Sequence, residues 1–252
     1  MMDKDNERLQ SIVREEFLRD ESATGNIGTY KEKRLHKILK RFYEPDECFH
    51  EIPVGNYVAD ILRENEIVEI QTGSFYPMKD KIRYYLEQTE CSVTIVRPLP
   101  HIKWCVWIDP ASGEAVSRRK SPKKMMPKDI LRDWYYLKDY VGNKRLKIVF
   151  LLMETEEYRL LDGWSKNKKK GSHRFEFVPL NIIDQQVFCE GRDYLVFLPS
   201  DLPKSFTAAE YMKATGIKSY AAYSLLSILC ALGFLIKSNE KKGRSDLYFK
   251  SF

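Results

Sequence analysis

Two carboxylates and an amide fall where a short β-hairpin would bring them together. The stretch Tyr57-Val58-Ala59-Asp60-Ile61-Leu62, the turn Arg63 to Glu66, and the run Ile67-Val68-Glu69-Ile70-Gln71-Thr72 read as two strands joined at Glu64-Asn65. With the turn centred there, Asp60 lies opposite Glu69 and Val58 opposite Gln71. Side chains two apart on a strand project the same way, so Gln71 shares the face of the two acids, while Ile61, Val68 and Ile70 point to the other face, the expected core. Like charges facing each other across a ladder destabilise it unless something compensates, and a divalent cation between them is the usual compensation. The spacing therefore predicts a metal site at Asp60 and Glu69.

Asp60 followed nine positions later by Glu69-Ile70-Gln71 resembles the PD-(D/E)XK nuclease superfamily, whose motif puts an Asp on one strand and (D/E)-x-K on the next. The resemblance spans about residues 28 to 100. It implies a restriction-endonuclease-like core hydrolysing DNA phosphodiesters with Mg²⁺ or Mn²⁺, Asp60 and Glu69 as ligands, and Gln71 positioning the attacking water. Two departures stand out: Gln71 occupies the lysine position, as in some restriction endonucleases of the superfamily, and Ala59 replaces the Pro before the Asp. An amide cannot act as a general base at pH 7. Lys79 and Lys81, on the following helix, are candidates for the missing cationic charge. Many members also carry an acid on a helix before the hairpin. Here that is Glu32, three before Leu35 and seven before Leu39, on the core-facing stripe. Lys31, Lys33 and His36 offer Glu32 simple surface ion pairs instead.

The positioning elements follow from periodicity. Ile12, Val13, Phe17 and Leu18 allow a helix before a loop-like Ala23 to Gly28, and Leu35, Ile38, Leu39 and Phe42 mark an amphipathic helix stopped by Pro45. Phe49 to Val54 reads as a first strand. Pro77 begins a helix with Met78, Ile82, Tyr85, Leu86 and Thr89 on one stripe, and Ser92 to Val96 is a strand that Trp104 to Ile108 extends. This order predicts an α/β or α+β core, a mixed sheet flanked by helices. A β-rich basic extension, about 110 to 200, holds a helix at Lys128 to Tyr140, a strong strand at Lys147 to Met153, and strands around Tyr158, Phe175 and Tyr194. Pro199 to Pro203 reads as a linker, dividing a nuclease-like domain, 1–200, from a small domain, 204–252.

In that last segment Thr207 caps a short helix to Lys213, Thr215-Gly216 turns, Ser219 to Leu232 forms a longer helix ended by Gly233, and two strands flank Glu240 to Arg244. It resembles a winged helix-turn-helix, with Tyr220 and Tyr223 on the exposed face of the recognition helix and Lys241, Lys242 and Arg244 in the wing. The helix offers few cations, so the wing is the stronger candidate for DNA, and a role confined to protein contacts stays open. Two further basic runs suit phosphates: one contains Arg118 and Arg119, the other Lys166, Lys168, Lys169 and Lys170.

The chain has 252 residues and 42 Lys and Arg against 36 acids, a net charge of +6. Its densely charged start lacks the apolar run of an export signal, and its longest apolar stretch, Ala221 to Ile236, is short for a membrane span, so a cytoplasmic protein is expected. Five scattered cysteines form no CxxC pair and are expected as reduced, mostly buried thiols; His50, His101 and His173 share no zinc-ligand spacing. The leading expectation is a DNA endonuclease, for which a homodimer would suit double-strand cutting. The alternatives are a non-catalytic DNA-binding regulator on the same fold and a protein-interaction module.

Overall fold

The computed structural model describes residues 2–21, 33–163 and 171–252. Its element order is α1 (Met2–Glu21), α2 (Lys33–Tyr43), β1 (His50–Val54), β2 (Tyr57–Arg63), β3 (Glu66–Ile70), α3 (Lys79–Gln88), β4 (Ser92–Ile108), β5 (Ala115–Lys120), α4 (Leu131–Trp134), β6 (Leu146–Leu160) and β7 (His173–Phe188). There follow β8 (Ser205–Thr207), α5 (Ala208–Thr215), α6 (Ser219–Ala231), β9 (Leu235–Lys242) and β10 (Ser245–Lys250). A seven-stranded mixed sheet runs β1-β2-β3-β4-β6-β7, with β5 on β4, and a three-stranded sheet runs β8-β10-β9. The architecture is α+β, a large mixed sheet flanked by helices.

The β2-β3 ladder has the expected register, Ile61 opposite Val68, Leu62 opposite Ile67 and Arg63 opposite Glu66. From β3 the chain crosses through α3 to β4, which lies parallel to both β3 and β6. Central parallel strands need cover on both faces, which is why Ile148 to Met153 reads as an unbroken apolar run. One face of the sheet presents Val68, Ile70, Val96, Val149 and Leu151 to α1 and α2; the other presents Ile67, Val93, Ile95, Ile148 and Phe150 to α3, α4 and α6. The sheet thus has two cores, not the single one expected behind Ile61, Val68 and Ile70, and the face of Glu69 is roofed. Burial, not propensity, holds an 11-residue helix such as α2 in place. Its Leu35, Ile38 and Leu39 are buried, at roughly 1.5–3 kcal/mol each.

The strands Ser92 to Val96 and Trp104 to Ile108 are one 17-residue strand that contains Pro98 and Pro100. In β4 the N–H of Ser92 points toward β3 and that of Val93 toward β6, so residues 98 and 100 turn their nitrogens to the β3 side. There β3 has ended at Ile70 and β5 does not begin pairing until Trp104, so no ladder donor is lost.

The expected helix at Lys128 to Tyr140 is broken into 3₁₀ turns around the four-residue α4. Its buried side chains are Pro127, Ile130, Leu131, Trp134 and Leu137. Trp134 stacks on Phe150 at 4.9 Å and meets Phe188, Tyr194 and Phe197 edge-on. Tyr194, expected on a strand, sits in the 3₁₀ segment Gly191–Phe197. The C-terminal elements follow expectation: Thr207 and Glu210 form a capping box on α5, and Gly216 ends it at φ 68°. Their core, Leu225, Leu226, Ile228 and Leu229, is continuous with that under the large sheet. The cysteines are free, but Cys48 is exposed and the other four are only half-buried, against the expectation of buried thiols. No helix among the described residues is long and apolar enough to cross a membrane.

Candidate active site

A cavity of about 560 Å³ opens where β3 ends, between α2 and α3. Its walls come from six places in the chain: His36, Lys37 and Lys40 of α2, Glu51 of β1, Asp60 of β2, Glu69 and Ile70 of β3, the Gln71-Thr72 turn, and Pro77, Met78 and Lys81 at the start of α3. The end of a parallel strand is where open α/β sheets place ligand crevices. Asp60, Glu69, Gln71 and Lys81 are thereby brought together.

Beyond Ile61 the carboxylate of Asp60 takes over from the ladder: its Oδ2 accepts the Ile70 N–H at 2.7 Å. The same oxygen lies 3.0 Å from His36 Nε2. Burial favours the neutral acid, but the His36 contact, the Ile70 N–H and the charge of Lys81 outweigh it, so the pKa of Asp60 falls below its ordinary value. Glu69 is the opposite case. It is 4% exposed beneath α3, and its Oε2 accepts from Lys81 Nζ at 2.6 Å. Burial, reinforced by the neighbouring Asp60 charge, pushes its pKa up to about 7 against the pull of Lys81. Two neighbouring carboxyls whose environments drive their protonation apart form the pattern of an acid-base site.

The second oxygen, Glu69 Oε1, and the Tyr85 hydroxyl are both buried, and neither meets the geometry of a hydrogen bond to any described residue. Burial and the nearby Glu69 raise the Tyr85 pKa. A buried carboxylate oxygen with only the Tyr85 hydroxyl near it, beside a second carboxylate, is a donor set for a hard cation. Among the described residues no group of three or more His, Cys, Asp or Glu side chains could hold an ion. Mg²⁺ is met by one or two carboxylates, with water and substrate phosphate completing its shell, so the residues present fit Mg²⁺ or Mn²⁺.

The remaining candidates divide. Gln71 lines the cavity, with its side-chain amide donating to the Ser74 carbonyl and its backbone carbonyl accepting from Arg97 Nη1 at 2.9 Å. Lys79 is exposed at the first position of α3 and is not among the lining residues. Arg118 and Arg119 lie on the exposed β5, where Arg118 bonds Glu156 at 2.7 Å and covers the Trp104 ring at 3.8 Å. Tyr220 and Tyr223 are exposed on α6, as are Lys241, Lys242 and Arg244 around the β9-β10 turn, where Lys242 bonds Glu210. Glu32, Lys166, Lys168, Lys169 and Lys170 lie outside the described residues.

Sequence reasoning missed four residues. His36 was expected as a surface partner of Glu32, yet it meets Asp60. Lys40, its side chain 7% exposed, reaches Glu51 at 2.7 Å, and Glu51 holds φ at 54°, a conformation L-residues seldom adopt. Arg97 is almost fully buried beside Gln71. The recoverable signal lay in α2, where His36 and Lys40 are four apart and so share a face.

No solved structure matches this chain. It is similar to an uncharacterized protein of Treponema pallidum (strain Nichols), 23% identical over 225 residues that cover 89% of this chain and 87% of that protein. A family model matches residues 33–189, from the start of α2 to just past β7 and so across the whole cavity; the chain belongs to that family, described as a domain of unknown function (DUF8091).

Proposed function

We propose that this protein is a Mg²⁺- or Mn²⁺-dependent nuclease acting on DNA, with its acid pocket at the end of β3 and its C-terminal segment, which resembles a winged helix-turn-helix, helping to hold the substrate. The observation that carries this reading is the meeting of Asp60, Glu69 and Lys81 in one cavity from three separate elements. Asp60 and Glu69 would hold the ion, which supplies neutralisation of the phosphate and acidifies water when bound. His36 and the Ile70 N–H fix the orientation of Asp60. Lys81 stands where a cation can face a scissile phosphate, and supplies the charge that Gln71 lacks. The Gln71 amide, anchored by the Ser74 carbonyl while Arg97 holds the Gln71 main chain, orients water without taking its proton. The exposed Lys37 adds positive charge to the rim, whereas Lys40 is buried and paired with Glu51.

A second reading is a DNA-binding regulator without hydrolysis, and one observation favours it: Asp60, Glu69 and Gln71 are each already engaged within the protein. The deciding experiment is cleavage of plasmid, linear and branched DNA at low salt with Mg²⁺ or Mn²⁺, comparing wild type with Asp60→Ala/Glu69→Ala. Cutting by the wild type alone is expected. If neither protein cuts and both bind DNA equally, the nuclease reading fails and the regulator stands.

A further inference from the structure

The exposed side of α6 is chemically unusual for a helix that would enter a DNA groove. The helix Ser219–Ala231 contains no charged residue and no Asn or Gln, the side chains that read base edges. It presents Tyr220 and Tyr223, 59% and 53% exposed, into an open groove of about 600 Å³ completed by Tyr135, Tyr248, Ser227 and Lys237. The Arg132 guanidinium lies 5.7 Å from the Tyr220 ring centre, on the ring face. Among the described residues no carboxylate lines the groove, although Asp246 pairs with Lys237 at 2.7 Å. Residues 204–252 carry eight lysines and arginines against three acids, so they hold +5 of the chain's +6. Aromatic faces set in positive surroundings are what an unstacked base and its phosphate require, whereas a base inside a duplex hides its face.

The groove and the acid pocket also flank the same helical turn. Leu131 and Trp134 anchor that turn in the core, while Arg132 and Tyr135 face the groove. On its other side Asp133 accepts from Ser74 Oγ at 2.8 Å, and the Ser74 carbonyl holds the Gln71 amide. Tyr136 meets Tyr76 edge-on at 5.0 Å, just before α3 and Lys81. We infer that the tyrosine groove is a stacking platform for single-stranded DNA, so that the substrate class of the adjoining pocket is DNA with an unpaired segment. The second half of this statement rests on the nuclease reading; the first does not.

The test is fluorescence anisotropy of the full chain with a labelled oligothymidylate of about 20 nucleotides and with a duplex of equal length, both in EDTA so that cleavage plays no part. The wild type is expected to prefer the single strand. Tyr220→Ala/Tyr223→Ala should weaken single-strand binding about tenfold per tyrosine and duplex binding by less than about twofold. Both rings are exposed, and an unchanged unfolding curve establishes that the variant is folded. Tyr220→Phe/Tyr223→Phe keeps the rings and should bind within about twofold of wild type, which separates stacking from hydrogen bonding by the hydroxyls. Equal affinity for duplex and single strand, or an alanine pair that loses nothing, overturns the platform. Tyrosine-dependent single-strand binding by a wild type that does not cleave in Mg²⁺ refutes only the nuclease reading, and cleavage with tyrosine-independent binding refutes only the platform.

Discussion

Replacing Glu69 by Gln should make the protein more stable, by an amount that grows as pH rises from 4.5 to about 7 and is complete above that. The carboxyl has an ordinary pKa of 4.5 and is pushed up to about 7 in the folded protein, by burial first and by the Asp60 charge second. Between those two values the folded state holds a proton that the unfolded state has lost, so stability falls as pH rises through this window. Each tenfold displacement is worth about 1.4 kcal/mol, so the ionised Glu69 costs about 3 kcal/mol above pH 7, after the attraction of Lys81 is counted. A glutamine resembles the protonated acid and escapes that cost. Asp60 runs the other way: its lowered pKa contributes stability that is lost as pH falls below 3.8, outside the Glu69 window. Urea unfolding of wild type and Glu69→Gln in EDTA, at pH 5 and pH 8.5, isolates the effect. The two proteins should be nearly equal at pH 5, and the variant ahead by about 3 kcal/mol at pH 8.5. Mg²⁺ should then stabilise the wild type and leave the variant unmoved. A stability difference that is flat with pH, or a variant weaker at pH 8.5, would refute the account of Glu69 as a strained acid.

Other perturbations test the scaffold. Trp134→Ala removes a fully buried ring from a four-partner aromatic cluster and should cost about 3–5 kcal/mol in denaturant unfolding. Arg145 donates to the carbonyls of Leu86, Thr89 and Cys91 at the end of α3, so Arg145→Met should lower stability by about 2–3 kcal/mol, read as a drop in melting temperature. Gly55 holds φ at 60° with the Tyr84 hydroxyl in the space a Cβ would need, and Gly55→Ala should cost about 2 kcal/mol in the same assay. If the wing touches phosphates, Lys241→Ala/Arg244→Ala should reduce the slope of log affinity against log salt by about 2, measured by anisotropy with duplex DNA.

The hairpin was legible because a period of two leaves little freedom: once the turn is placed at Glu64-Asn65, the register of Ile61 and Val68 follows. The C-terminal elements were legible for local reasons, the Thr207 capping box and the Gly216 stop. What the sequence concealed is relational. His36 and Asp60 lie 24 residues apart and Lys81 and Glu69 twelve, and neither separation carries a periodic signal. The second core was hidden because β3 is short and its alternation looks half-solvated until α3 is laid over it. Over 128–140 the chain forms two 3₁₀ turns around a four-residue helix instead of one helix, a break that no Gly or Pro inside the segment announces.

The shared core beneath the large sheet and α6 has a mechanical meaning. A reader domain on a flexible tether samples many distances from the site it serves. Here Trp134, Leu225 and Leu229 sit in one hydrophobic mass, and the turn that carries Trp134 touches groove and pocket alike. The separation between them is therefore a constant of the molecule, set by packing. A polymer gripped at the tyrosines would be met by the acids at one fixed number of repeats along its length, so the fold acts as a ruler, and a cutting reaction would leave a ladder of discrete product lengths where a tethered reader would leave a smear.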